Sequence, residues 1–242
     1  EYVNENFDCF VIPLADAFRE NFVNELNELT SFVKKLKIPC YVIGVGLKES
    51  YEPDFSQPKP QDEAVKQFVT AVLEKSNCIG VRGELTGKYL ETLGFAEGRD
   101  FMVIGCPSMY MKGKRLHIQN PKLDVNSKVC FNSNVAASVP TRKFIKLKMK
   151  EFENHYFIGQ VVNELRSIYL GAPYEYKIEY NFRNVTDKIY QDGRLRFFCN
   201  VPKWMEFLND SDLTFGSRLH GNIAAVLAGT PALLVTKDSR TR

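Results

Sequence analysis

Neither sign of charge is in surplus: 32 Lys and Arg stand against 29 Asp and Glu, a formal net charge of +3 over 242 residues. So even a balance excludes a nucleic-acid binder and a polybasic membrane protein. Long apolar runs are missing as well. A spanning helix requires about 20 such residues, and the most apolar stretch, Ile223 to Val235, is interrupted by Gly229, Thr230 and Pro231. There is no C-x-x-C. Each of the six cysteines (Cys9, Cys40, Cys78, Cys106, Cys130 and Cys199) lies in or beside a strand-like segment. They read as buried free thiols of a reducing, cytoplasmic compartment rather than as zinc ligands or a disulfide framework. The turn Gly44-Val45-Gly46 lacks the third glycine of a dinucleotide fingerprint, which argues against a nicotinamide cofactor, and no metal-binding cluster stands out.

What the sequence does have is enough apolar content, 44% of residues, to build a core. A length of this order corresponds to one or two domains, which bury roughly 70–75% of their unfolded surface. The chain opens at Glu1 rather than Met and stops at Arg242, just after an apolar strand, so it reads as a piece of a longer protein with no signal peptide to interpret.

Along the chain, strand-like and helix-like segments alternate. Phe18, Phe22, Leu26, Leu29, Phe32, Val33 and Leu36 share one face of a helix predicted over Phe18 to Lys37, with Asp16 as its cap. The segments Cys9 to Pro13, Cys40 to Gly46, Cys78 to Arg82 and Phe101 to Gly105 read as buried strands, with further helices at Asp62 to Lys75 and Glu84 to Leu93. Continuous apolar strands between helices predict a parallel sheet covered on both faces. From Pro107 to Ser127 the periodicity fades. Beyond it, strands are predicted at Val129 to Asn132, His155 to Gly159, Leu195 to Cys199, Leu213 to Gly216 and Ala232 to Thr236. Helices lie between them at Lys143 to Phe152, Gln160 to Leu170, Lys203 to Asn209 and Leu219 to Ala228. The expected fold is α/β: two Rossmann-like lobes with parallel sheets and a central cleft, at residues 1–108 and 128–242, joined by a linker at 109–127. Ligands of such folds bind at the carboxyl ends of the strands.

The richest stretch is Leu213 to Arg242. A strand ends at Gly216, Ser217 is a natural cap, and the helix then begins with Arg218, Leu219 and His220. The first N–H groups of a helix have no internal partner and sit at its positive end, so they attract anions. Arg218 adds a two-point donor that matches a phosphate or carboxylate, and His220 adds a titratable group in the same turn. Elsewhere, His117 in the linker and His155 at a strand start read as structural or solvated. The basic run Arg142, Lys143, Lys146, Lys148 and Lys150 reads as a solvated face.

These residues resemble the polysaccharide pyruvyl transferases. That family's late G-x-R-x-H-G pattern is matched by Gly216, Arg218, His220 and Gly221. Its following G-x-P, apolar strand and D-x-R are matched by Gly229, Pro231, Asp238 and Arg240. Upstream, Val81, Arg82 and Thr86 resemble the family's V-R-x-x-x-T segment, and the run from Pro39 to Gly46 resembles the strand and glycine turn before it. The resemblance departs at Pro13, Leu14, Ala15 and Asp16, where the family has a glycine-rich turn. The family's opening segment and the acidic residue after D-x-R are also absent.

The resemblance implies a GT-B-like fold. It also implies transfer of the enolpyruvyl group of phosphoenolpyruvate onto a sugar of a surface polysaccharide, exopolysaccharide or capsule, forming a pyruvate ketal and releasing phosphate. The donor is a co-substrate, and no other cofactor is expected. Arg82, Ser217, Arg218, Leu219, His220 and Gly221 are then expected to bind the donor, with His220 as the proton carrier. Asn132, Asn134, Gln160, Asp238 and Arg240 are expected to line the cleft for the acceptor, a sugar or lipid-linked oligosaccharide that can place the protein at the inner membrane face. Two other functions share these features: a glycosyltransferase using a nucleotide-sugar donor, and a non-catalytic binding relative.

Overall fold

The computed structural model of the chain describes residues 1–134, 137–171 and 185–236. The chain divides into two compact units, the first Glu1–Tyr110 and the second beginning at Met111. In the first unit the order is α1 (Tyr2–Asn6), β1 (Phe10–Pro13), α2 (Val23–Lys34), β2 (Cys40–Val45), α3 (Asp62–Leu73), β3 (Ile79–Val81), α4 (Glu84–Thr92) and β4 (Phe101–Val103). Its four strands pair in parallel in sequence order, β1-β2-β3-β4.

This order corrects the expectation of a sheet covered on both faces. Right-handed crossovers that all step in one direction put their helices on the same face. Ile12, Val42, Ile79, Val81 and Phe101 are buried in the core with Leu26, Val33, Val65, Phe68 and Leu90 from the helices. On the opposite face Val11, Tyr41 and Met102 are exposed.

The second unit contains β5 (Val129–Asn132), α5 (Val139–Met149), β6 (His155–Gly159), α6 (Val162–Leu170), α7 (Lys188–Gln191), β7 (Leu195–Phe197), α8 (Val201–Asn209), β8 (Leu213–Gly216), α9 (Leu219–Ala228) and β9 (Ala232–Leu234). Its strands are parallel in the order β7-β6-β5-β8-β9. The direction of stepping reverses between β5 and β8, so helices cover both faces. Ile145 and Met149 of α5 join Val129, Phe131 and Phe157 on one side. Leu208 of α8 and Ala224 and Ala225 of α9 join Cys130 and Ile158 on the other. At such a switch point the helices diverge and leave a crevice at the strand ends.

Several local expectations are corrected by the contacts the chain makes. Phe18 is not helical: it bridges Leu47 in parallel, and a short 3-10 turn at Glu20–Phe22 precedes α2. Asp16 does not cap α2 but pairs with Arg19 at 2.9 Å. The segment read as a linker begins with a 3-10 stretch, Pro107–Arg115. Helix α5 starts at Val139 rather than Lys143, because Ser138 Oγ accepts the Thr141 N–H at 3.3 Å and Pro140 fits the first turn. In the basic run, Arg142 is buried and not solvated. All six cysteines are free thiols. Cys40 and Cys130 are buried, and burial pushes each up to about 11, but Cys9 and Cys199, next to the edge strands β1 and β7, are exposed. Among the described residues no helix is long and apolar enough to cross a membrane.

Candidate active site

Strands β5 and β8 end side by side, with Asn132 opposite Gly216. A Cβ on Gly216 would lie 2.0 Å from the Asn132 carbonyl oxygen, so only glycine permits this approach. The chain leaving β8 is then fastened to the chain leaving β5. The Ser217 N–H donates to Asn132 O at 3.3 Å, and the Arg218 N–H donates to Asn132 Oδ1 at 2.8 Å. In the reverse direction the Asn134 N–H donates to Ser217 Oγ at 2.9 Å. Asn222 Nδ2 closes the turn from the helix side, donating to the carbonyls of Gly216 and Arg218.

These bonds shift the start of α9 by one residue. Ser217 does not cap the helix, because its hydroxyl is turned to Asn134. Arg218 is the capping residue, with extended φ −95 and ψ 111, and Leu219, His220 and Gly221 form the first turn. The first intrahelical bond runs from the Asn222 N–H to Arg218 O, so the three N–H groups before it have no intrahelical acceptor. His220 is exposed at the second helical position. Gly221 lets two amides close in: a Cβ there would lie 2.5 Å from Gln160 Nε2 and 3.3 Å from Asn132 Nδ2. Gln160 Nε2 is buried with no hydrogen-bond partner among the described residues.

The Arg218 side chain is held rather than loose. Nε donates to Ser133 O at 2.7 Å, and Nη2 pairs with Glu164 Oε1 at 2.9 Å. The Glu164 side chain is 0% exposed and that of Arg218 11%. Glu164 Oε2 also accepts the backbone N–H groups of Gln160 and Val161, which fixes the start of α6. Burial pushes the Glu164 carboxyl above its usual range, opposed by Arg218 and those two N–H groups. Nη1 of Arg218 has no partner among the described residues. One edge of the guanidinium is thus anchored while donor capacity remains, a fixed cation beside a helix N-terminus.

The structure therefore brings Asn132, Asn134, Gln160, Ser217, Arg218, Leu219, His220 and Gly221 together at one strand edge of the second unit. Asn132 is only 1% exposed, and its Oδ1 holds the Arg218 N–H, so it clamps the turn. Arg82 belongs to the first unit. It follows β3, its N–H donates to Val45 O at 2.7 Å, and its side chain lies by the glycine turn at Gly44 and Gly46. Its Nε is buried without a hydrogen-bond partner, and no carboxylate pairs with it among the described residues. Asp238 and Arg240 lie outside the described residues. His117 is exposed, while His155 Nδ1 is 2.7 Å from Phe152 O and its ring meets Phe131 edge-on. Among the described residues no group of three His, Cys, Asp or Glu is arranged to hold a metal ion.

Sequence reasoning missed Glu164. Its only local signal is its place three residues after Val161 at a helix start, a position where an acid commonly takes the N-cap N–H. Its pairing with Arg218, 54 residues away, has no sequence signature.

The second unit is thus a parallel α/β unit with a cation and a helix N-terminus at its switch point, a setting suited to an anionic group. The polysaccharide pyruvyl transferase family matches residues 8–239, and the chain belongs to that family. No curated protein matches the chain.

Proposed function

We propose that the chain transfers the enolpyruvyl group of phosphoenolpyruvate to two hydroxyls of a sugar, forming a pyruvate ketal and releasing phosphate. Membership of the pyruvyl transferase family supports the reaction class. The observation that carries the reading is the Arg218 turn. A guanidinium locked by Glu164 and Ser133 stands at the positive end of α9, where the dianionic phosphate or the carboxylate of the donor would be held without reorganisation.

In this reading Arg218 and the first turn of α9 bind one anionic group of the donor. Among the described residues no carboxylate pairs with Arg82, which is offered as a further cation for the donor. His220, exposed in that same first turn of α9, carries protons: C3 of the donor gains one and the attacking hydroxyl loses one. Gln160, with an unpartnered amide beside Gly221, offers a donor to a sugar hydroxyl. The acceptor is a sugar of a polysaccharide or of its lipid-linked precursor.

The test is incubation with phosphoenolpyruvate and sugar acceptors, following inorganic phosphate and the ketal product together. Stoichiometric appearance of both supports pyruvyl transfer. Stabilisation of the protein by UDP, GDP or CMP sugars instead, with no response to phosphoenolpyruvate, supports a glycosyltransferase and overturns the proposal.

A further inference from the structure

Arg142 is 5% exposed. It lies on the same line of α5 as the buried Ile145 and Met149, three and seven residues on, which pack against Val129, Phe131 and Phe157. A crossover helix returns antiparallel to the strands it joins, so the position before Ile145 lies toward the carboxyl ends of those strands. Helical side chains also lean toward the helix N-terminus. The guanidinium is thus carried toward the edge where β5 and β8 end. The chain between β5 and α5 is tied to the Arg218 turn there, through the Asn134 N–H to Ser217 Oγ and Arg218 Nε to Ser133 O.

A buried guanidinium needs acceptors, because an unpaired charge in a fold is destabilising. Arg218 has its acceptors in Glu164 and Ser133. Among the described residues Arg142 differs: its Nε and Nη1 are buried without a hydrogen-bond partner, and no carboxylate pairs with it. The first turn of α5 adds little of its own, since Pro140 lacks an N–H and Ser138 Oγ already accepts that of Thr141.

We infer that Arg142 is an oxyanion-binding residue, which takes a carboxylate or phosphate of the ligand seated at the β5–β8 edge. The inference rests on the pyruvyl-transfer reading, whose donor carries both groups, and it gives the second unit a second arginine for that donor. The unpaired charge lowers the stability of the ligand-free fold, and the ligand offsets that loss.

The test measures melting temperature and binding for the wild-type chain, Arg142→Met and Arg142→Lys, each with phosphoenolpyruvate, inorganic phosphate and pyruvate. Arg142→Met is expected to raise the ligand-free melting temperature by about 2 °C or more, as removal of an unpaired buried charge should. It is also expected to weaken phosphoenolpyruvate by about tenfold or more, the loss of a charge-assisted contact. Loss of the phosphate shift or of the pyruvate shift identifies which oxyanion Arg142 holds. Arg142→Lys keeps the charge without the two-point geometry, and weakened binding in that variant supports the inference even if Arg142→Met fails to fold. Undiminished phosphoenolpyruvate binding in both variants overturns the Arg142 site and leaves the donor assignment standing. A wild-type response to phosphate or pyruvate that depends on Arg142, without any response to phosphoenolpyruvate, leaves the site standing and overturns the donor. No response to any of the three overturns both.

Discussion

Removing the Glu164 carboxylate is the sharpest perturbation the second unit offers. The side chain is fully buried, pairs with Arg218 Nη2 at 2.9 Å, and accepts two backbone N–H groups at the start of α6. Glu164→Ala leaves Arg218, itself only 11% exposed, without its counter-charge. Breaking one side of a buried pair costs about 3–5 kcal/mol, and the freed N–H groups keep the expected loss at the upper end of that range. For a chain of this size it corresponds to a fall in melting temperature of roughly 6–20 °C. The sole tryptophan, Trp204, lies in α8 and packs against the core of the second unit, so its fluorescence in urea reports that unit. The partner deletion, Arg218→Met, and the double variant complete a cycle, with an expected coupling of about 1–3 kcal/mol. A loss below about 1 kcal/mol for Glu164→Ala, or full additivity in the double variant, would refute the reasoning that the pair is a buried clamp.

Three further outcomes follow from the geometry. Burial holds the Glu164 proton more tightly in the fold than in the unfolded chain. Its contribution to stability is therefore full below the ordinary value of 4.5 and declines as pH rises through the higher folded value. Glu164→Gln removes that titration, so the stability gap between wild type and variant should narrow over the rise; a widening gap in urea titrations contradicts the burial argument. Gly216→Ala forces a Cβ to within 2.0 Å of a backbone oxygen and should cost about 3 kcal/mol, whereas Gly221→Ala meets the movable Gln160 amide and should cost about 1 kcal/mol or less. Equal losses in thermal denaturation would overturn that ranking. His220→Ala, at an exposed position, should leave the melting temperature unchanged and reduce turnover about 100-fold with little change in donor affinity. Unaltered kinetics would remove His220 from the mechanism.

Much of the fold was legible because its signals are local. Strands β5, β6 and β8 and helix α9 fall at the residues their apolar runs, glycines and Pro231 mark. Two misplaced boundaries are set from far away, whereas the start of α5 is set locally by Ser138 and Pro140. Phe18 has the helical spacing of its neighbours but is drawn out by its bridge to Leu47, and Ser217 has a capping side chain that Asn134 occupies first. The candidate site divides in the same way. Arg218, His220 and Gly221 could be read from one contiguous motif, while the acid that fixes Arg218 comes from another crossover and looks like an ordinary first-turn glutamate. Arg142 was misread for the opposite reason: four lysines around it gave the segment the composition of a solvated face, and its burial follows only from the line it shares with Ile145 and Met149.

The central claim is that the Arg218 turn at the β5–β8 switch point binds phosphoenolpyruvate. Calorimetric titration of phosphoenolpyruvate into the wild-type chain and into Arg218→Met, with circular dichroism confirming that both are folded, tests it directly. The account predicts saturable binding to the wild type, weakened about tenfold or more in Arg218→Met. Equal affinity for the two, or no binding to the wild type, would contradict it.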